Sequence, residues 1–265
     1  MRLPRSSLSA KAVAVLREPL PARKVSLTRE ASALWYSGKL SSSDPTVFMP
    51  MRPARPAEPT LLAPRHMPQR RLGGLRGRIA LLHAVAHIEL NAIDLAWDLI
   101  GRFGSAFDWP EDFFHDWVSV AVDEARHLSL LEERLSELGA AYGDLPAHDG
   151  LWQAAVETAH DPLARLSVVP MVLEARGLDV TPAMINRLRR AGDGKSADLL
   201  ETILNEEIAH VAAGSRWFFH LCRYHKLPEV ETWRALVGKH YSGELKPPFN
   251  ERARSAAGML PGLYL

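Results

Sequence analysis

The sequence predicts an all-α protein, and three observations support this class. Apolar residues recur every three to four positions over several long segments, as they do on one face of a helix. No segment shows the sustained alternation of apolar and polar residues that indicates a half-buried strand. Helix boundaries carry typical residues, such as Asp161-Pro162 at a start and Gly139 at an end.

Composition excludes several classes of protein. The 265 residues are 47% hydrophobic and 24% charged, which is ordinary for a soluble globular chain. The single cysteine, Cys222, excludes an intrachain disulfide and a cysteine-based zinc finger. No apolar run reaches the roughly 18 residues of a membrane span, and the amino-terminal segment lacks a secretory h-region. We therefore expect a cytoplasmic protein with no membrane partner.

Charge is distributed unevenly along the chain. Residues 1–78 contain 15 Lys and Arg but only 4 Asp and Glu, whereas the remaining residues contain 17 and 27. We predict a basic Pro- and Arg-rich extension over 1–78 that wraps the body, a helical bundle over 79–240 and a tail over 241–265. Such an arm either neutralises the acidic body by packing on it, or contacts nucleic acid or another polyanion.

Nine helices are predicted from periodicity and from breaking residues. In chain order they span residues 12–17, 31–36, 78–103, 110–139, 151–160, 162–178, 181–191, 196–224 and 228–240. Residues 50–69 are too rich in proline for a helix or a central strand, so an extended strap is expected there. Pro170 lies inside the 162–178 segment and should bend it or open a carbonyl.

Four of these helices each bring an acid into an otherwise apolar stripe. Glu89 is the only charge on the apolar stripe of 78–103, and Glu174 is the one acid on the apolar stripe of 162–178. The 110–139 and 196–224 helices carry Glu-x-x-His: Glu124 with His127, and Glu207 with His210. Residues three apart share a helix face. A buried carboxylate beside a buried imidazole needs a partner, and a metal ion is the obvious one.

The spacing of these acids repeats. Glu89 precedes Glu124 by 35 residues and Glu174 precedes Glu207 by 33, and 46 residues separate His127 from Glu174. Two helical hairpins joined by a long crossover form a four-helix bundle. Four Glu and two His are donors for a pair of divalent iron or manganese ions. Glu89 and His127 would serve one ion and Glu174 and His210 the other, with Glu124 and Glu207 as the candidate bridges.

These motifs resemble those of the ferritin-like di-iron carboxylate superfamily. The resemblance covers about residues 79–225 and is carried by Glu89, Asp123-Glu124-Ala125-Arg126-His127, Glu174 and Glu206-Glu207-Ile208-Ala209-His210. It implies a ferritin-like four-helix bundle with a long crossover, extra short helices and two Fe, alternatively Mn or mixed Fe/Mn. It further implies that Asp123 and Arg126 form a network around the ligand imidazoles, with Glu206 as their counterpart in the other half.

The resemblance extends to a bacterial branch near the MiaE tRNA hydroxylases. It implies a monomeric or dimeric di-iron oxygenase that uses O₂ as co-substrate and hydroxylates a small molecule or a modified nucleoside. The electron donor is not indicated by the sequence. Two alternatives stay open: a ferroxidase or iron-handling protein without an organic substrate, and a binding module that has lost its metal.

Other histidines have simpler interpretations. Glu157-Thr158-Ala159-His160 is a third Glu-x-x-His, but it ends against the helix-breaking Asp161-Pro162 and has no matching upstream Glu helix. We interpret it as a surface pair. His83 and His87 are interpreted as ordinary residues of the polar face of the 78–103 helix, the alternative being an extra ligand or a substrate contact.

Overall fold

A computed structural model describes residues 6–68 and 74–265. Within these ranges the regular secondary structure is helical and no strand occurs, which confirms the all-α class. Residues 1–5 and 69–73, which belong to the predicted amino-terminal extension, lie outside the described residues. The chain divides into two compact units, one ending at Trp152 and the other running from Gln153 to Leu265.

The first unit is built on a hairpin of two long helices. Its elements are α1 (Leu8–Arg17), α2 (Pro21–Tyr36), a 3₁₀ turn (Pro64–His66), α3 (Gly74–Phe103) and α4 (Glu111–Glu137), and the unit ends within α5 (Gly150–Glu157). α3 packs along α4, while α1 packs on α3 and α2 packs on α4. The two amino-terminal helices begin earlier than predicted, because the apolar positions Leu8 and Val25 are buried in this core.

By length and composition, one described helix could cross a membrane. That helix is α3, whose most apolar window has a mean hydropathy of 1.4, although no such segment was expected from the sequence. Because 78% of the window is buried, α3 has the character of a core helix in a soluble protein.

An irregular strap, residues 50–62, covers the polar face of α3. The backbone N–H of Ala54 donates to Leu16 O at 2.7 Å, and Arg102 of α3 donates to Pro50 O at 3.0 Å. Trp152 Nε1 donates to Met51 O at 3.1 Å. The carbonyls of Pro50 and Met51, which have no partner within the strap itself, thus accept hydrogen bonds from side chains elsewhere in the unit.

His83 and His87 are buried, because the segment 142–148 covers them. His87 Nε2 lies 3.1 Å from the carbonyl of His148 and therefore donates to it, while Nδ1 accepts from Tyr142 Oη at 2.8 Å. His83 Nε2 accepts from the N–H of Gly143 at 3.0 Å. Burial, assisted by the charge of Arg55, lowers the pKa of His87 to about 4, so its ring is neutral near pH 7. Both rings thus hold the 142–148 segment on α3.

A buried ion network joins α2, the strap and α3. Lys24 Nζ donates to Asp94 Oδ1 at 2.5 Å and to Val15 O at 3.0 Å, and both charged side chains are fully buried. Arg55 of the strap pairs with the other carboxylate oxygen of Asp94, and it also donates to Asn91 Oδ1 at 2.6 Å. Burial lowers the pKa of Lys24 and raises that of Asp94, against their mutual attraction. One carboxylate therefore fastens two separate segments to α3.

The second unit is packed around one long helix. After the end of α5, its elements are α6 (Pro162–Val168), a π-helical segment (Val169–Glu174), α7 (Ala175–Arg190), α8 (Gly194–His225), α9 (Glu229–His240), α10 (Glu251–Ala256) and α11 (Pro261–Tyr264). The π-helical segment and α7 pack on α8, and α6 packs on α8 and α9. The predicted tail, 241–265, contains two short helices.

The predicted helix start at Thr181-Pro182 is wrong. Pro182 lies inside α7, and the helical path continues from Pro162 to Arg190. A proline here removes the hydrogen bond to the carbonyl four residues earlier, that of Leu178. That carbonyl instead accepts from Asn250 Nδ2 at 3.1 Å, so the C-terminal segment replaces the missing donor.

The C-terminal segment is fastened by a second buried ion pair. Arg254 donates to both carboxylate oxygens of Asp179, at 2.9 and 2.7 Å, and both residues are buried. The guanidinium carbon lies 4.6 Å from the ring centroid of Tyr264, within cation–π range. This bidentate pair and the ring contact explain why a Pro/Gly-rich tail is ordered on α7.

Pro170 packs directly against Gly214 of α8. A Cβ added to Gly214 would lie 2.6 Å from Pro170 Cγ, closer than packed atoms allow. The proline ring, which opens the helix into a π-helical segment, is therefore accommodated by the missing side chain of Gly214. Gly214 lies one turn beyond His210, so this contact fixes the π-helical segment against the part of α8 that bears Glu207 and His210.

Replacing Gly214 by Ala is expected to destabilise the second unit by about 1–3 kcal/mol, because the methyl group would overpack against Pro170. The matched control is Gly177→Ala in α7, where an added Cβ would meet no atom within 4 Å. That change should be neutral or stabilise by up to about 1 kcal/mol. Urea unfolding of the two variants measures the difference, and equal stabilities would contradict the contact.

Candidate metal centre

The first unit places three predicted ligands in its interior. Glu89 lies in the middle of α3, while Glu124 and His127 lie one turn apart on α4. Their exposed fractions are 3%, 1% and 0%. Because α3 and α4 are the hairpin partners, the facing stripes bring an acid from one helix to an acid and an imidazole of the other.

The three side chains form a compact donor group. His127 Nδ1 lies 3.2 Å from Glu89 Oε2 and 3.6 Å from Glu124 Oε2. One donor atom from each residue lies within 4.8 Å of those of the other two. Nδ1 is thus the imidazole nitrogen that faces the carboxylates, and it is the one placed to bind a cation.

Electrostatics in this group favour positive charge. Burial disfavours a protonated imidazole, but the hydrogen bonds to Glu124 and Glu89 and their negative charges outweigh it. Together they raise the pKa of His127 to about 11. Two buried carboxylates around one imidazole therefore attract a cation to the space they share.

The donor types fit a divalent first-row metal. Carboxylates and an imidazole suit iron, manganese and zinc, whereas calcium and magnesium prefer oxygen donors alone. Glu89, Glu124 and His127 could therefore hold a metal ion, and the donors alone do not distinguish among these metals.

The second unit contains the other Glu-x-x-His pair. His210 of α8 is buried, and its Nδ1 lies 3.4 Å from Glu207 Oε1, whose side chain is mostly buried. Glu174 is the last residue of the π-helical segment that packs on α8, and its Oε2 is buried. This unit thus offers a Glu and a His with the same i,i+3 geometry as the pair in α4.

The residues predicted to surround the ligand imidazoles lie closer to the surface. Arg126 Nη2 lies 3.2 Å from Asp123 Oδ1, and each side chain is about a third exposed. Glu206 is half-buried on α8. Their contact with the ligand imidazoles stays a prediction.

Sequence reasoning missed the residues that support the α3 side of this group. The partners Arg55 and Lys24, which hold Asp94 one to two turns beyond Glu89, come from segments distant in the chain. Asp94 lies on the polar face of the 78–103 segment, so the one signal in the sequence was the excess of basic residues before position 78. An excess of basic residues indicates that ion pairs form with acids elsewhere in the chain, but it does not identify the partners.

One family model matches a range of this chain that includes both groups of predicted ligands. The family described as "Protein of unknown function (DUF455)" matches residues 17–265. An uncharacterised protein of Haemophilus influenzae is 41% identical over 209 residues, which are 77% of this chain and 73% of that protein. No solved structure matches.

Proposed function

We propose that this chain, which belongs to the DUF455 family, is a non-haem di-metal oxidoreductase that uses O₂ to hydroxylate an organic substrate. The observation that carries the proposal is the buried group of Glu89, Glu124 and His127, whose donor atoms lie within 4.8 Å of one another. Globular proteins bury two carboxylates beside an imidazole only where something compensates their charge. A divalent metal provides that compensation.

We further propose that the two Glu/His groups serve one centre. Glu89 and His127 would hold one ion, Glu174 and His210 the other, and Glu124 and Glu207 would bridge. The near-equal spacing of the acids, 35 and 33 residues, and the repeated i,i+3 pairs support this assignment. So does the resemblance to the ferritin-like carboxylate proteins, whose bundles project two Glu and two Glu-x-x-His inward. The corresponding fold is a ferritin-like four-helix bundle.

Iron is the proposed metal, with manganese or a mixed pair as the alternative. Two reduced irons, when bound, supply the capacity to bind and activate O₂. The residues of this chain contribute placement and exclusion of water. Packing along α3 and α4 fixes the two carboxylates and His127 Nδ1, and their near-complete burial keeps solvent away from the reacting groups.

Access of substrate is assigned to the π-helical segment. Interruptions of this kind are frequent at functional sites, and this one ends at Glu174. Replacing Pro170 by Ala should therefore lower turnover with the organic substrate while leaving the metal content of the protein unchanged. Unchanged turnover would show that the π-helical segment does not control access of the substrate.

A modified tRNA nucleoside is the substrate class that the resemblance favours. Part of the basic extension is already paired, since Lys24 and Arg55 hold Asp94 and Arg52 lies 2.5 Å from Asp149. Arg17, Arg23, Arg29 and Lys39 remain exposed on and after the two amino-terminal helices. These side chains are the proposed phosphate contacts.

Replacing Arg23 and Arg29 by Gln is expected to weaken tRNA binding and to reduce the slope of log K against log salt by about 1 for each lost contact. Deleting the arm is not a suitable test, because α1 and α2 form part of the core. The matched control replaces the exposed Arg187 and Arg190 of the second unit by Gln. Binding that is insensitive to salt, or equally weakened by the control, would contradict the proposal.

The activity itself is tested by O₂ consumption of the iron-loaded protein with a chemical reductant. Hydroxylation predicts that a substrate, such as undermodified tRNA, accelerates O₂ uptake and gains one oxygen atom by mass spectrometry. The ferroxidase alternative predicts uptake that depends only on added Fe(II), and an iron-storing protein would also assemble into a large shell. A protein that binds no iron would refute both.

A further inference from the structure

The third Glu-x-x-His of the chain faces another histidine. His160 lies in the turn between α5 and α6, and His240 is the last residue of α9. Their ring centroids are 5.2 Å apart, with the ring planes inclined by 49°. His160 is exposed, as expected for a surface residue, but the ring beside it comes from a helix 80 positions further along the chain.

Both elements that carry these rings are fixed. Arg165, which is buried, donates to Thr158 Oγ1 at 2.9 Å and to Ala155 O at 2.6 Å, and so braces the turn. Asp161 caps α6 by accepting from Leu163 N at 2.9 Å. α9 packs on α6, which places its C-terminal residue beside this turn. The approach of the two rings is therefore built into the packing of the unit.

His240 Nε2 is buried and has no hydrogen-bond partner within the described part of the chain. A buried imidazole nitrogen without a partner carries a desolvation penalty that a ligand would relieve. Burial, with the charges of Lys239 and His160, lowers the pKa of His240. Glu157, one turn before His160, and Asp161 supply negative charge to the same corner.

We propose that His160 and His240 form a second transition-metal site, separate from the Glu/His groups, that takes zinc, nickel or copper. Two imidazoles held by one tetrahedral ion at about 2 Å have ring centres about 5 Å apart, as these two have. Imidazole suits these metals, and the exposed His160 leaves room for water to complete the coordination.

The test is equilibrium dialysis of the untagged full-length protein against micromolar Zn²⁺, with bound zinc measured by elemental analysis. We expect wild type to bind one equivalent more than His160→Ala and His240→Ala, because each substitution should weaken that equivalent by about tenfold or more. The control is His66→Ala, an exposed histidine in the first unit, which should bind as wild type does.

The same comparison made in a Glu124→Gln background separates this site from the proposed di-metal centre. The extra equivalent should persist there, because neither histidine contributes to the Glu/His groups. If His240→Ala fails to fold, the exposed His160→Ala still decides the question. Equal zinc content in wild type and His160→Ala would overturn the proposal.

Discussion

Replacing Glu124 by Gln is expected to lower the iron content of the protein from about two ions per chain to less than one. Glu124 is more buried than Glu89, the other acid of this donor group, and it is the proposed bridge, so its loss should affect both ions. Mutating a residue that only supports a metal ligand typically lowers metal affinity by about 10–100-fold. Loss of the ligand Glu124 itself should therefore lower the affinity for iron by at least about 100-fold. O₂ uptake should fall with the iron.

The control for this prediction is Glu133→Gln on the same helix. Glu133 is exposed and lies nine residues further on, which places it on the opposite face of α4. The Glu133→Gln variant should retain full iron content and activity. Elemental analysis and thermal unfolding of both variants separate loss of metal from loss of fold. A folded Glu124→Gln protein with two irons would contradict the assignment.

Replacing Asp94 by Asn is expected to destabilise the first unit by about 3–5 kcal/mol. Lys24 and Arg55 share this carboxylate, and its loss leaves buried positive charge without compensation. The variant is best followed by urea unfolding with probes in each unit, because two compact units need not unfold together.

The matched control is Asp149→Asn, which breaks the more exposed pair with Arg52 and should change stability by about 0–1 kcal/mol. Adding Lys24→Met to Asp94→Asn should recover part of the loss, because one buried charge is removed with its partner. A change below about 1 kcal/mol in Asp94→Asn alone would show that the network does not fasten the strap and α2 to α3.

The long helices and their inward acids were predictable because both signals are local. Apolar periodicity places Glu89 and Glu124 on buried stripes, and a spacing of three places His127 beside Glu124. The structure shows these three residues together, as the pattern indicates.

Features that depend on distant partners were not predictable. Pro182 looked like a helix start because the donor that replaces its missing N–H, Asn250, is 68 positions away. The burial of His87 depends on Tyr142 and the carbonyl of His148, and the pairing of His160 depends on His240. Local propensity contains no information on such contacts, since tertiary packing decides them.

The central claim is that the Glu/His groups of both units hold one pair of metal ions. Mössbauer and EPR spectroscopy of the iron-loaded protein test it most directly, with Glu124→Gln and His210→Gln as the variants. We predict a magnetically coupled pair that is silent in EPR when both ions are ferric, and that either substitution abolishes. Signals of isolated ferric ions, each removed only by the substitution in its own unit, would contradict the claim.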